Sequence, residues 1–262
     1  MHGVGIRAAR PLSGSAIPGA EGATAVADAR HAAPCKPAPA HRRFPMFAAP
    51  PGAGFLAVLR SIGLPTGAFD TITIGHSERV AAYATEVATA VGLGRAEVHM
   101  VRLGAYLHDV GKLRVPREIL RKPGRLTDEE FAVVRNHPVW GLELLEGAPL
   151  PAEVRCTVRW HHEKADGSGY PDGLWGDAIP LQASIVGIAD VYDALTSSRS
   201  YRPAMTSAGA LALMRSRRAW WRPEVYAAFG RAVASTAHGA ARLVADAEVA
   251  ERAAAGVPAA VA

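Results

Sequence analysis

The sequence predicts an all-α protein, a bundle of helices with its polar chemistry in the core. Three observations predict it. Apolar residues recur at the helical period, as in Val80, Tyr83, Ala84, Val87, Ala88 and Val91, which fall on one stripe. Start and stop signals separate the periodic stretches, among them Gly92, Gly94 and the capping sequence Thr127-Asp128-Glu129-Glu130. No series of short alternating apolar and polar runs suggests a sheet, and no segment repeats.

Taken in order, residues 1–52 are rich in Ala, Gly, Pro and Arg without sustained periodicity. Segments such as Pro34-Cys35-Lys36-Pro37 suit neither a helix nor a central strand, and a disordered tail is expected there. The folded domain is expected over 53–237, and an Ala-rich tail over 238–262. A short apolar helix within 54–64 leads into it. A long helix starts near residue 68 and stops at Gly92, and a second covers 95–108. The third opens at Thr127, and Pro138 interrupts it just after His137. Further helices are expected over 152–162, 181–197, 207–220 and 223–237. Between two of these, residues 163–180 hold four glycines and two prolines. A loop of that length inside a compact domain usually carries function.

The bulk numbers narrow the setting. A hydrophobic content of 49% and a charged content of 20% fit a soluble globular chain. The net charge of +5 is compatible with acidic partners. No apolar run reaches membrane-spanning length, and the start lacks the pattern of a signal peptide. Cys35 and Cys156 form no CxxC pair, and Cys156 lies in an apolar helical stretch, so a buried free thiol in a reducing cytoplasm is expected.

Of the ten histidines, five fall into a pattern with acidic neighbours: His76, His108-Asp109, His137-Pro138, His161-His162-Glu163, and then Asp190. They recur about once per helix or helix pair, and donors projecting from facing helices of a bundle converge in its core. Two adjacent buried imidazoles and a buried carboxylate are costly without compensation. Five imidazoles with two carboxylates make a nitrogen and oxygen set suited to iron, manganese or zinc rather than calcium or magnesium alone. Seven donors exceed the three or four groups that one catalytic ion takes from a protein, so two ions bridged by a carboxylate are expected. His99 and His238 stand alone and read as ordinary histidines.

These residues carry a resemblance. His108-Asp109-Val110-Gly111-Lys112 resembles the HD motif of the HD phosphohydrolase superfamily. The run 161–171, His-His-Glu-Lys-Ala-Asp-Gly-Ser-Gly-Tyr-Pro, is similar to the signature of its HD-GYP subfamily, as is 190–197 with Arg199, Tyr201 and Arg202. The likeness runs from about residue 70 to 229. It implies an HD-type helical bundle with a bimetal site, hydrolysing cyclic di-GMP to pGpG and then GMP. His76, His108, Asp109 and Asp190 would hold one ion. Asp109 would bridge to a second held by His137, His161 and His162. Lys112, which shares the face of His108 if the helix continues past 108 and Gly111 does not end it, would meet a substrate phosphate. Gly169, Tyr170 and Pro171 would shape the loop beside the substrate. Arg199 and Arg202 would contact phosphate or pair with Asp193 and Asp166. The chain departs from the family at Ile72, where some members carry a third-metal Glu, at Ser198 and Ser200, and at Trp221-Arg222-Pro223 in place of Phe-Asp-Pro.

Two rival readings accompany this one. A related hydrolase could act on another nucleotide, against which Gly169-Tyr170-Pro171 speaks. A catalytically silent protein would instead bind the messenger or a partner such as a diguanylate cyclase or another signalling protein, but degenerate members lose ligands and here all seven are present. DNA is not an expected partner.

Overall fold

The structure is a computed structural model that describes residues 54–69, 71–198 and 203–236. The expected tails, Arg199, Arg202 and the side chain of Ile72 lie outside the described residues. Ten α-helices are described: α1 (Phe55–Ser61), α2 (Thr71–Val91), α3 (Arg95–Leu107), α4 (Arg117–Leu120), α5 (Asp128–Val134), α6 (His137–Leu144), α7 (Ala152–Trp160), α8 (Leu181–Thr196), α9 (Ser207–Ser216) and α10 (Pro223–Thr236). Among the described residues the only strand-like pairing is one isolated antiparallel bridge, Asp166 to Trp175. The all-α expectation holds.

The long α2 is the axis of the bundle and packs against α3, α8 and α10, while α7 packs against α3, α6 and α8. The stripe read from the sequence faces inward: Val80, Ala84, Val87 and Ala88 are buried. They meet Leu103 and Leu107 from α3, Ile185 and Ile188 from α8 and Phe229 from α10 in one core. Each such side chain contributes about 1.5–3 kcal/mol when fully buried. Tyr83 meets Tyr192 edge-on at 5.1 Å, and Tyr192 meets Phe229 at 5.2 Å.

Start and stop signals act as expected. Thr127 accepts from the Glu130 amide at 3.2 Å, and Glu130 accepts from the Thr127 amide at 2.7 Å, which opens α5. Two glycines let ligand-bearing segments touch. A Cβ at Gly111 would lie 1.9 Å from the His137 carbonyl oxygen, and one at Gly187 would lie 2.3 Å from that of His161. Only glycine allows the turn after α3 to meet α6, and α8 to meet the end of α7, at these distances.

Two expectations are corrected. The helix expected over 95–108 ends at Leu107, because Asp109 leaves helical geometry at φ −100°, ψ 6°. Lys112 therefore sits on a separate 3₁₀ turn, Val110–Arg114, and does not share a helix face with His108. Cys156 is disulfide-bonded rather than free. It is buried in a small cluster with Trp160, Ile179 and Ala183 beside the main core. No described helix is long and apolar enough to cross a membrane.

Candidate metal centre

A helix ends with carbonyl groups that have no intrahelical donor. Three histidines use them. His108 follows α3 and its Nδ1 donates to Ala105 O at 2.6 Å. His137 follows α5 and donates to Val134 O at 2.8 Å. His161 follows α7 and donates to Val158 O at 2.9 Å. A carbonyl can only accept, so Nδ1 carries the proton in all three, and the neutral ring presents its Nε2 lone pair to the interior. The three helices also bring their partially negative C-terminal ends towards one place, which favours a cation there.

The remaining predicted donors gather around these rings. His76 Nε2, from α2, lies 3.5 Å from Asp109 Oδ2 and 3.3 Å from Asp190 Oδ1. Asp190, from α8, is also 3.9 Å from His108 Nε2 and 4.0 Å from His162 Nδ1. Asp109 Oδ1 is 3.2 Å from His137 Nε2. His161 and His162 have ring centroids 4.1 Å apart. All seven residues thus converge. Six of them form two donor groups, His76–His108–Asp109 and Asp109–His137–His161–His162, with Asp109 in both, and Asp190 lies beside the first.

The residues present fit a divalent metal. His137 Nε2 and His161 Nε2 are 3.2 Å apart, although both rings spend their proton at Nδ1. Two lone pairs at that distance repel unless a cation lies between them. His108 Nε2 and Asp109 Oδ1 are buried without a hydrogen-bond partner, an arrangement that native interiors avoid unless another group satisfies them. Burial and the neighbouring imidazoles hold the pKa of His161 and of His162 well below the usual value, so both remain neutral donors. Burial pushes Asp109 and Asp190 upward, but Lys112 and the imidazoles at Asp109, and His76, His108 and His162 at Asp190, outweigh it and keep both carboxyls well below the ordinary range.

The HD domain family model matches residues 70–225. The chain is 46% identical over 149 residues to a cyclic di-GMP phosphodiesterase response regulator of Xanthomonas campestris, covering 56% of this chain and 39% of the relative. It is 40% identical over 178 residues to a cyclic di-GMP phosphodiesterase of Pseudomonas aeruginosa, covering 68% of this chain and 42% of the relative. This chain belongs to the HD-domain family and is of the HD-GYP type. A 3'3'-cGAMP-specific phosphodiesterase of Vibrio cholerae is 42% identical over 139 residues, 51% of this chain and 26% of that one. The chain therefore matches less than half the length of each of these relatives. An HDG"Y"P protein from Bdellovibrio bacteriovorus shares the fold, with a TM-score of 0.51 at 20% identity over 60% of this chain and 51% of that one.

In this HD-GYP protein the signature loop is fastened to the helix that carries His161 and His162. Glu163, which sequence reasoning left without a role, accepts the amides of Asp172 and Gly173 at Oε1 (2.8 and 3.1 Å) and of Leu174 at Oε2 (3.0 Å). Asp172 is gripped from α7 by Arg159 Nε and Trp160 Nε1 at 2.8 and 2.7 Å. The result lays Tyr170 on His162, with centroids 4.7 Å apart and planes 27° apart. Gly169 and Pro171 flank it, joined through a cis Tyr170-Pro171 peptide.

Asp193, which the sequence suggests only as a partner for Arg199 or Arg202, stands behind His76. It is buried, and its Oδ2 lies 2.7 Å from His76 Nδ1, while its Oδ1 accepts from Arg79 Nε at 2.6 Å. Such a carboxylate fixes the ring of a metal-binding histidine. Its spacing three residues after Asp190, on the same helix, was the available signal. The pairing suggested for Arg199 and Arg202 lies outside the described residues; Asp166 Oδ1 accepts from the Ser168 amide and hydroxyl at 3.0 and 2.6 Å. Lys112 Nζ lies 2.5 Å from Asp109 Oδ2. Lys164 Nζ is buried without a hydrogen-bond partner, 4.8 Å over the Trp221 ring and 5.5 Å over that of Trp220. Burial lowers its pKa to about 8. The unusual Arg222 ties the end of the loop to α10 through Asp177 and Glu224, and Ser198 Oγ accepts from the Ala204 amide.

Proposed function

We propose that this chain hydrolyses a phosphodiester bond of a cyclic dinucleotide, first of all cyclic di-GMP, opening it to pGpG, with GMP as the product of a second turnover. The observation that carries this reading is the pair of facing Nε2 lone pairs of His137 and His161, in a pocket where Asp109 belongs to two donor groups. Relatives named as cyclic di-GMP phosphodiesterases support the substrate class. The relative named 3'3'-cGAMP-specific gives that messenger specific support as a second substrate.

In this reading His76, His108, Asp109 and Asp190 hold one ion, and Asp109, His137, His161 and His162 hold the other. Iron or manganese suits the mixed donor set. Two divalent ions at such a site supply a nucleophilic water at neutral pH and offset the charge that develops at phosphorus. The chain's own residues do the rest. Asp193 and the three helix-end carbonyls keep the imidazoles in the tautomer that presents a lone pair. Lys112 exchanges its contact with Asp109 for a substrate phosphate, as a point-charge phosphate binder does. Tyr170, framed by Gly169 and Pro171, borders the bound messenger. Arg199 and Arg202 contact its second phosphate.

The test is incubation of purified protein with cyclic di-GMP and with 3'3'-cGAMP, under Mn²⁺ or anaerobic Fe²⁺, with products separated by chromatography. Linear product should form only with metal. Two bound ions without product under any condition would overturn the reading in favour of silent messenger binding.

A further inference from the structure

Two residues beside the metal centre hold none of its donors. Phe131, on α5, is 46% exposed, an unusual position for a large apolar ring. Arg135, directly after α5, is exposed too. Both touch Tyr170. The Arg135 guanidinium carbon lies 4.9 Å from the Tyr170 ring centroid, and Phe131 meets the same ring edge-on at 6.4 Å. Tyr170 in turn stacks on His162. The pair therefore stands one aromatic ring beyond the donor set, at the mouth of the site.

The Arg135 guanidinium meets no carboxylate among the described residues. A surface arginine ordinarily gains from an acidic neighbour; this one is placed over an aromatic face, which orients a guanidinium by cation–π attraction and leaves its N–H edge free. That edge is a rigid planar fork of donors. It matches the O6 and N7 acceptors of guanine bidentately, whereas adenine places an amino donor where guanine has O6. An exposed aromatic ring beside it offers a stacking face that any base can use.

We propose that Arg135 and Phe131 form a nucleobase subsite, in which Phe131 stacks a base and Arg135 selects guanine over adenine. The inference rests on the reading of this chain as a cyclic dinucleotide phosphodiesterase. It makes Arg135 a specificity-determining residue.

The experiment compares kcat/KM of the metal-loaded wild type, Arg135→Ala, Arg135→Lys and Phe131→Ala on cyclic di-GMP, on cyclic di-AMP and on base-free bis(p-nitrophenyl) phosphate, with metal content measured throughout. Arg135→Ala should lower the ratio of cyclic di-GMP to cyclic di-AMP turnover by about 5- to 150-fold, mainly through KM, as loss of one bidentate guanine contact implies. Arg135→Lys keeps a charge near Tyr170 but not the fork, and should lose most of that ratio as well. Phe131→Ala should weaken both cyclic dinucleotides alike and the base-free diester least. An equal fall of Arg135→Ala on both cyclic dinucleotides, an unchanged ratio, or full retention by Arg135→Lys would overturn the proposal while leaving the phosphodiesterase reading intact. A wild type that cleaves the base-free diester but neither cyclic dinucleotide would sink both.

Discussion

The histidines around Asp109 are oriented by two different means, His108, His137 and His161 by a carbonyl at the end of the preceding helix and His76 by a carboxylate from another helix. On one side, His137 and His161 each hand their Nδ1 proton to a carbonyl three residues back, at the end of their own preceding helix. On the other side, His76 is aimed by Asp193, itself gripped by Arg79. The first device is local and uncharged; stopping the helix suffices to build it. The second is a buried ionic chain between α2 and α8, and removing one member leaves the others uncompensated. The difference teaches that three of the imidazoles depend on where helices stop and His76 on how two helices dock.

Mutations can break or sharpen that contrast. Asp109→Ala strikes both halves. It should lower kcat/KM by more than about a thousandfold, the scale of a lost term of roughly 4 kcal/mol, and reduce bound metal, while circular dichroism keeps its helical signature. Near wild-type turnover would refute the shared role of Asp109. Lys112→Ala touches neither half's ligands. Metal content should stay intact while kcat/KM drops by about ten- to a thousandfold; a mutant that loses metal would show that Lys112 supports the donors instead. Asp193→Asn strikes only the docked half. Competition with a chelator should show one of two ions weakened by about 10- to 100-fold and the other unchanged, the usual effect of losing a partner behind a ligand. Equal weakening of both would erase the distinction drawn here. Thr127→Ala removes the cap that starts α5, far from the docked half. Urea unfolding should show a loss of about 1 kcal/mol with metal stoichiometry unchanged.

The fold class and the convergence of the seven candidate residues were legible because both rest on local pattern: the apolar period of α2, and polar doublets such as His108-Asp109 in otherwise apolar helical stretches. The interruption at Pro138 was legible as well, and the structure starts α6 at His137. What escaped was set by tertiary contact. Asp193 acquires its partner only when α2 lies against α8, 117 residues apart in sequence. Lys164 looks like a surface lysine until Trp220 and Trp221 close over it. Glu163 is part of a visible signature, yet its work is to collect three loop amides, which no spacing announces. Lys112 was misplaced because a helix was continued through Asp109, where the backbone turns away. Cys156 reads as a free thiol in an apolar helix because no local pattern announces a disulfide.

The fastening of the signature loop also sets an order of assembly. Its closures through Glu163 and Asp172 span only 9 to 13 residues, so little chain entropy is lost in making them. Helix α7 and the loop after it can form as one cooperative unit, with His161, His162 and Tyr170 already in place. The contact of His76 with Asp193 closes over 117 residues and belongs to the slow, non-local part of folding. In native-state hydrogen exchange, the amides of Asp172, Gly173 and Leu174 should stay protected in partially opened forms that have already released α2.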